Sequence, residues 1–131
     1  MDAHRGHGPT STAVMAAATD HVRLGYHYLN TGDLDGYASL LDPMAEVRDP
    51  GHRPPVRGRE RVVRWWAENV ADQRVHEVLE VFGHHDRVAV TGRLLGPASG
   101  ARRDVGFADV FQVSEIGLLL TQTRYYFTDP G

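Results

Sequence analysis

The sequence predicts an α+β fold, with three N-terminal helices packed on an antiparallel sheet. Three observations carry this. The first half of the chain places apolar residues at helical spacing, Val14, Ala18, Val22 and Leu29 foremost. From Arg74 the texture changes to runs of β-branched and aromatic residues between turn signals such as Gly83-His84-His85-Asp86. Helices come first and strands after, which is the order of an α+β domain rather than of alternating βαβ units.

Residues 1–11 hold Gly, Pro and two His with no apolar period and read as a disordered tail. Residues 12–131 are long enough for a single domain with a sizeable core. Ser11 or Thr12 caps a helix running from about Ala13 to Leu29. Tyr26 follows Val22 by four residues and precedes Leu29 by three, so it shares their face. Asn30-Thr31-Gly32 ends this helix, and Asp33 caps a short one, Leu34–Leu41, closed by Pro43. Met44–Arg48 reads as a short strand entering an Asp49-Pro50 corner, and Gly51–Arg57 as a loop stiffened by Pro54 and Pro55. After Gly58 a third helix runs from Arg59 to about Ala71, with Val62, Val63, Trp66 and Val70 on one face. Trp65 falls beside Arg61 and Glu68 and should be the more exposed tryptophan. Strands follow at Arg74–Phe82, Arg87–Leu95, Arg102–Val113 and Leu118–Phe127.

The third of these strands is the most informative. One face carries Val105, Phe107, Asp109, Phe111 and Val113, with Asp109 the only charge in the row. The other face carries Gly106, Ala108 and Val110 and is apolar too. A sheet buried on both faces needs two covers. The helices supply one, and a second copy of the chain is expected to supply the other, making a homodimer.

Composition excludes several function classes. The net charge of −3 offers no electrostatic footprint for nucleic acid. Every basic side chain is Arg, a bias that fits a GC-rich bacterial genome. The absence of Cys rules out thiolate chemistry and Cys-based zinc sites. His21 and His27 do not share a helical face, and no HExxH spacing exists, so no metal and no cofactor is expected. No apolar run approaches the ~20 residues of a membrane span, and no signal-peptide core precedes the domain, which leaves the cytoplasm as the expected location.

The ordered set TGDLDGYASLL, VRDPGHRPPVRGRE and DVFQVSEIGLLLTQTRYYF resembles the nuclear transport factor 2-like superfamily, from about His21 to Asp129. Within it the chain looks most like the SnoaL-like polyketide cyclases and the ketosteroid isomerases. The resemblance implies a cone: a curved sheet wrapped round helices, with a pocket at the wide end. It implies that Asp49 matches the isomerase's general base and Asp109 its protonated oxyanion-hole acid, or the late-strand acid/base of the cyclases. Trp66 falls where the isomerase has a supporting pocket tyrosine, and Gln122, Arg124 and Tyr126 fall on pocket-facing positions of the last strand. The tyrosine that pairs with the protonated acid aligns with Gly25, one residue before Tyr26. Tyr125 stands where the related epoxide hydrolases have an acid, which argues against that activity.

Two carboxylates in one apolar cavity can be given different roles, because desolvation and mutual repulsion hold one neutral while the other ionises. On this reading Asp49 takes a proton from a carbon next to a carbonyl, and Asp109, with Tyr26, stabilises the enolate. Phe107, Phe111, Trp66, Gln122, Arg124, Tyr126 and the loop residue His52 would surround a hydrophobic polycyclic substrate. The bland readings stand beside these. Asp49 can simply cap a turn, Asp109 can be a buried carboxylate paired with Arg124, Trp66 can be core, and His52 can be a solvated loop histidine. Two functions follow: an isomerase or cyclase of bacterial secondary metabolism, or a non-catalytic dimer that binds a hydrophobic small molecule.

Overall fold

The computed structural model describes residues 12–69, 75–98, 101–102 and 104–127. The expected tail, Val70, Ala71, Arg74 and the side chain of Val14 lie outside the described residues. Three helices, α1 (Thr12–Thr31), α2 (Leu34–Ser39) and α3 (Arg59–Asn69), precede most of the sheet. α1 continues past the expected Leu29 to Thr31 and stops at Gly32, whose φ of +77° only glycine adopts readily. Asp33 then caps α2 by accepting the Gly36 amide at 2.9 Å.

Six strands form one curved, unclosed sheet: β1 (Leu41–Asp49), β2 (His52–Arg57), β3 (Val75–His84), β4 (Arg87–Leu95), β5 (Val105–Val113) and β6 (Leu119–Tyr126). Their order is β2-β1-β6-β5-β4-β3. The run β3 to β6 is the expected antiparallel meander. β1 departs from it by pairing parallel to β6, Val47 opposite Gln122, so the sheet is mixed.

Three expectations about the strands need correction. The stretch His52–Arg57 is a strand and not a loop, because it lies at the sheet edge. There a proline's missing N–H deprives no neighbour of a bond. β1 begins at Leu41, ahead of the expected Met44, and tolerates Pro43 within an irregular stretch between the Leu41 and Glu46 pairings. The long strand expected from Arg102 starts at Val105, because Ala101–Arg102 pairs with Pro97–Ala98 in a separate ribbon.

The core lies between the helices and the inner face of the sheet. α1 contributes Ala18, Val22, Tyr26 and Leu29, α2 Tyr37, and α3 Val62, Trp65 and Trp66. The sheet answers with Val88, Val90, Leu94, Phe107, Phe111, Val113 and Leu119. Trp65 is therefore buried, contrary to expectation, at 8% exposure. Its ring is 4.9 Å from Trp66 and 6.1 Å from His52, so the β2 edge covers the side of α3 that a loop would have left open. Gly92 on β4 sits opposite Phe107 on β5. A Cβ there would come within 2.4 Å of the Glu77 carbonyl oxygen and 2.8 Å of the Phe107 ring, so glycine makes room for that ring.

Candidate active site

The inward row of β5 sets the site. Phe107, Asp109 and Phe111 are buried, and Asp109 is fully enclosed. β6 runs antiparallel beside it with Arg124 directly opposite Asp109. The Arg124 guanidinium grips the carboxyl with both arms: Nε donates to Oδ1 at 2.8 Å and Nη2 to Oδ2 at 2.8 Å. Gln122 Nε2 adds a bond to Oδ2 at 2.9 Å, and the Tyr26 hydroxyl donates to the same oxygen. Four donors converge on one carboxyl group, three of them on Oδ2, an arrangement that suits an acceptor. Of the two readings of Asp109, the ion pair with Arg124 is the one present.

Tyr26 reaches this cluster directly from α1. At Gly25 a Cβ would already stand 3.7–3.9 Å from Leu119, Tyr37 and Leu40, so that position faces packed side chains rather than Asp109. One residue further round the helix, Tyr26 points at the carboxylate. Burial, then the charge of Asp109, holds its hydroxyl well above the usual tyrosine range, so it stays a donor. Burial works against the charge on Arg124, but the bonds to Asp109 more than offset this and hold the guanidinium ionised. Arg124 also lies over the Phe107 ring at 4.3 Å and by Trp66 at 5.3 Å. Its Nη1 is buried and meets no acceptor among the described residues.

Asp49 is elsewhere. It stands half-buried at the end of β1, where Oδ1 accepts the Gly51 amide at 2.8 Å and Oδ2 accepts the Tyr126 hydroxyl at 3.1 Å. It is thus a turn cap and a partner of Tyr126 together. Tyr126 is 40% exposed, and its ring is 5.8 Å from the Arg124 guanidinium carbon. Burial and the Asp49 carboxylate raise its hydroxyl's pKa, and Arg124 partly opposes them. The two aspartates accordingly join through intermediaries, Asp49 to Tyr126 and Tyr126 beside Arg124, rather than sharing one cavity. His52 is exposed, its Nδ1 bonded to the Pro54 carbonyl, with its ring in a T-shaped contact with Trp65.

Sequence reasoning left His76 undecided, and it is part of this cluster. It is 3% exposed on β3, ringed by Tyr26 at 5.2 Å, Phe107 at 5.5 Å and Trp66 at 5.6 Å. A register shift between Val78 and Glu80 separates it from Phe82, which is 57% exposed. Burial first, and then the Arg124 charge, holds the imidazole well below the ordinary 6.5, so it is neutral. Its alternation with Val78 and Phe82 was the available signal; the bulge hid its direction.

Among the described residues, voids of about 10 Å³ lie beside Tyr26, Tyr37, Phe111, Leu119 and Gln122. A larger open depression of about 310 Å³ lies over Pro43 and Arg57–Arg61, away from all the residues above. Among the described residues no three His, Cys, Asp or Glu side chains are placed to hold a metal, and no helix is long and apolar enough to cross a membrane.

Comparison with known proteins agrees with this architecture. No curated protein matches the chain. Bal32a, from a soil-derived mobile gene cassette, is 25% identical with a TM-score of 0.78, over 87% of this chain and 92% of its own. A candidate SnoaL-like polyketide cyclase from Jannaschia sp. CCS1 is 18% identical with a TM-score of 0.78, over 91% of both chains. A candidate ketosteroid isomerase from Kribbella flavida DSM 17836 is 17% identical with a TM-score of 0.77, over 89% of this chain and 82% of its own. Other structures of this shape are NTF2-like proteins of unknown function. The SnoaL-like domain family matches residues 7–120, and the chain is a member of that family on an NTF2-like fold.

Proposed function

We propose that the protein is a small-molecule isomerase or cyclase that transfers a proton at a carbon next to a carbonyl of a polycyclic, polyketide- or steroid-like compound, in bacterial secondary metabolism. The observation that carries this reading is the Asp49–Tyr126 hydrogen bond on the rim, with the buried cation of Arg124 behind it. Asp49 is the base. It has a half-exposed carboxylate at the end of a strand, where a substrate can displace Tyr126 and present its C–H. As the enolate forms, the Tyr126 hydroxyl, freed from Asp49, and the Arg124 charge stand beside the developing oxyanion. Asp109 and Tyr26 have a different task from the one the resemblance implies: they fix Arg124 in place. Phe107, Trp66 and Phe111 supply the apolar wall, and Gln122 completes the hold on Asp109.

The test needs no knowledge of the product. Enolisable polycyclic ketones are incubated with the protein in deuterated buffer, and exchange at the α-carbon is followed by NMR. Wild type is expected to catalyse exchange, and Asp49→Asn to lower the rate by ~10²–10⁴-fold while keeping its fold. Equal rates in the two proteins would remove Asp49 from the mechanism.

A second reading rests on Asp109: the carboxylate expected to act as acid is held by Arg124, Gln122 and Tyr26, and the voids of about 10 Å³ beside Tyr26 and Phe111 are too small for a polycyclic molecule. A binding or accessory protein for a hydrophobic ligand would show saturable binding of the same ketones with no exchange above buffer.

A further inference from the structure

The proposed proton transfer leaves one neighbour of its base without a task. Asp49 and His52 are partners across the β1–β2 hairpin, so their side chains leave adjoining strands at the same end of the sheet. Two contacts hold the imidazole there. Its Nδ1 is 2.9 Å from the Pro54 carbonyl oxygen, which can only accept, so Nδ1 carries a proton. Its ring meets the buried Trp65 of α3 in a T-shaped contact at 6.1 Å. Holding an exposed side chain in one pose costs conformational entropy. What this leaves for chemistry is Nε2, which has no hydrogen-bond partner among the described residues. Imidazole is the side chain best suited to take up and give back a proton near neutral pH.

Strand order supplies the rest. β2, β1 and β6 are neighbours, so His52, Asp49 and Tyr126 stand in a row at one end of the sheet, with Asp49 in the middle. Tyr126, with Arg124 behind it, lies on one side of the base and His52 on the other. A carbonyl oxygen placed at Tyr126 therefore brings its α-carbon to Asp49 and the carbons beyond it toward His52. We infer that His52 is a second catalytic residue, the acid that protonates the enolate at a carbon other than the one Asp49 deprotonates. This rests on the proposed function for its base and gives the reaction two proton carriers instead of one. The α C–H bond breaks, its proton goes to the Asp49 carboxylate, and its electron pair enters the conjugated enolate. The Nε2–H bond of the His52 imidazolium then breaks, and the far end of the enolate takes that proton as the carbonyl re-forms. Asp49 is left protonated and His52 neutral. One proton passes from Asp49 to water and one from water to His52, which restores both groups.

The experiment follows a β,γ-unsaturated octalone in deuterated buffer by NMR. Exchange at the α-carbon between the carbonyl and the double bond, and appearance of the conjugated ketone, are read in the same samples. Wild type is expected to do both. His52→Phe keeps a ring against Trp65, and His52→Asn keeps a donor for the Pro54 carbonyl. Each should lower the ratio of isomerisation to exchange by at least about tenfold, because the enolate still forms but is not protonated at its far end. A merely structural effect would lower both rates together and leave the ratio as it was. An unchanged ratio in either variant, or no isomerisation by wild type, overturns the inference. Asp49→Asn should lower both rates. If it does and the ratio is unchanged in the His52 variants, only the role of His52 is lost. If it lowers neither rate, Asp49 is not the base, and the proton-transfer reading and the role of His52 fall together.

Discussion

His76 and the Asp109–Arg124 pair make separable predictions at the scale of single residues. The imidazole faces Tyr26 on α1, Trp66 on α3 and Phe107 on β5, feels the charge of Arg124 on β6, and its folded pKa lies below its unfolded 6.5. The unfolded chain therefore takes up a proton that the folded chain refuses. Stability from this group is complete above pH 6.5 and is lost as the pH falls through the interval below it, at up to about 1.4 kcal/mol per pH unit. Urea denaturation at a series of pH values should show wild type losing stability more steeply than His76→Phe below pH 6.5, so that the two curves separate in acid. Parallel curves would show that the ring is not kept neutral. The ion pair behaves differently. Arg124→Met strands a buried carboxylate and should cost ~3–5 kcal/mol, and adding Asp109→Leu should recover much of it. A double-mutant cycle in urea measures this; additive losses would mean that the pair is not coupled. The sequence showed both members, but it could not choose between a neutral Asp109 and a paired one. That choice depends on Asp109 lying opposite Arg124, a register set by the turn from Ser114 to Leu118.

Elements show where local reading works and where it stops. The alternation of β4 and β5, the stop of α1 at Gly32 and the Asp33 cap of α2 are local physics, and they were legible. β2 was not, because two prolines argue against a strand unless it is an edge, and edge position is decided by the assembled sheet. Trp65 followed from the same omission, since its cover is that edge strand. The latch between α1 and β3, in which the Asn30 side chain bonds the His76 amide and carbonyl, was equally out of reach, as Asn30 reads as a helix-end residue until its partner strand is known. Asn30→Ala removes two hydrogen bonds to the His76 backbone and should destabilise the fold by ~1–3 kcal/mol. Amide exchange should quicken at His76 and its neighbours at the start of β3. Exchange that quickens evenly over the whole sheet would deny Asn30 a local role.

At the scale of the whole molecule, the outer face of the sheet raises the question of a partner. Ala89, Thr91, Ala108 and Val110 form a small-residue centre there, with Phe82, Tyr125 and Phe127 exposed around it. We propose that a second copy of the chain covers this face, as the apolar outer row of β5 led us to expect. Val110→Asp places a charge in that centre, opposite Thr123 on the neighbouring strand. Sedimentation velocity should show a dimer for wild type and a monomer for the variant; a wild-type monomer at all concentrations leaves the face without this partner.

The placement of β6 has a consequence in time as well as in space. It is the last strand in the chain and sits between β1 and β5, more than half the chain away from the β1 residues it meets. During synthesis the helices and the hairpin of β1 with β2 can form as they emerge, as can the pairing of β3 to β5. No strand pairing joins the two groups until β6 arrives. Asp109 shares that history: until Arg124 appears, enclosing it would bury an unpaired charge. The step that completes the sheet therefore also delivers the cation on which the site is built. A chain cannot finish folding without assembling its chemistry, and a late error in β6 costs both together.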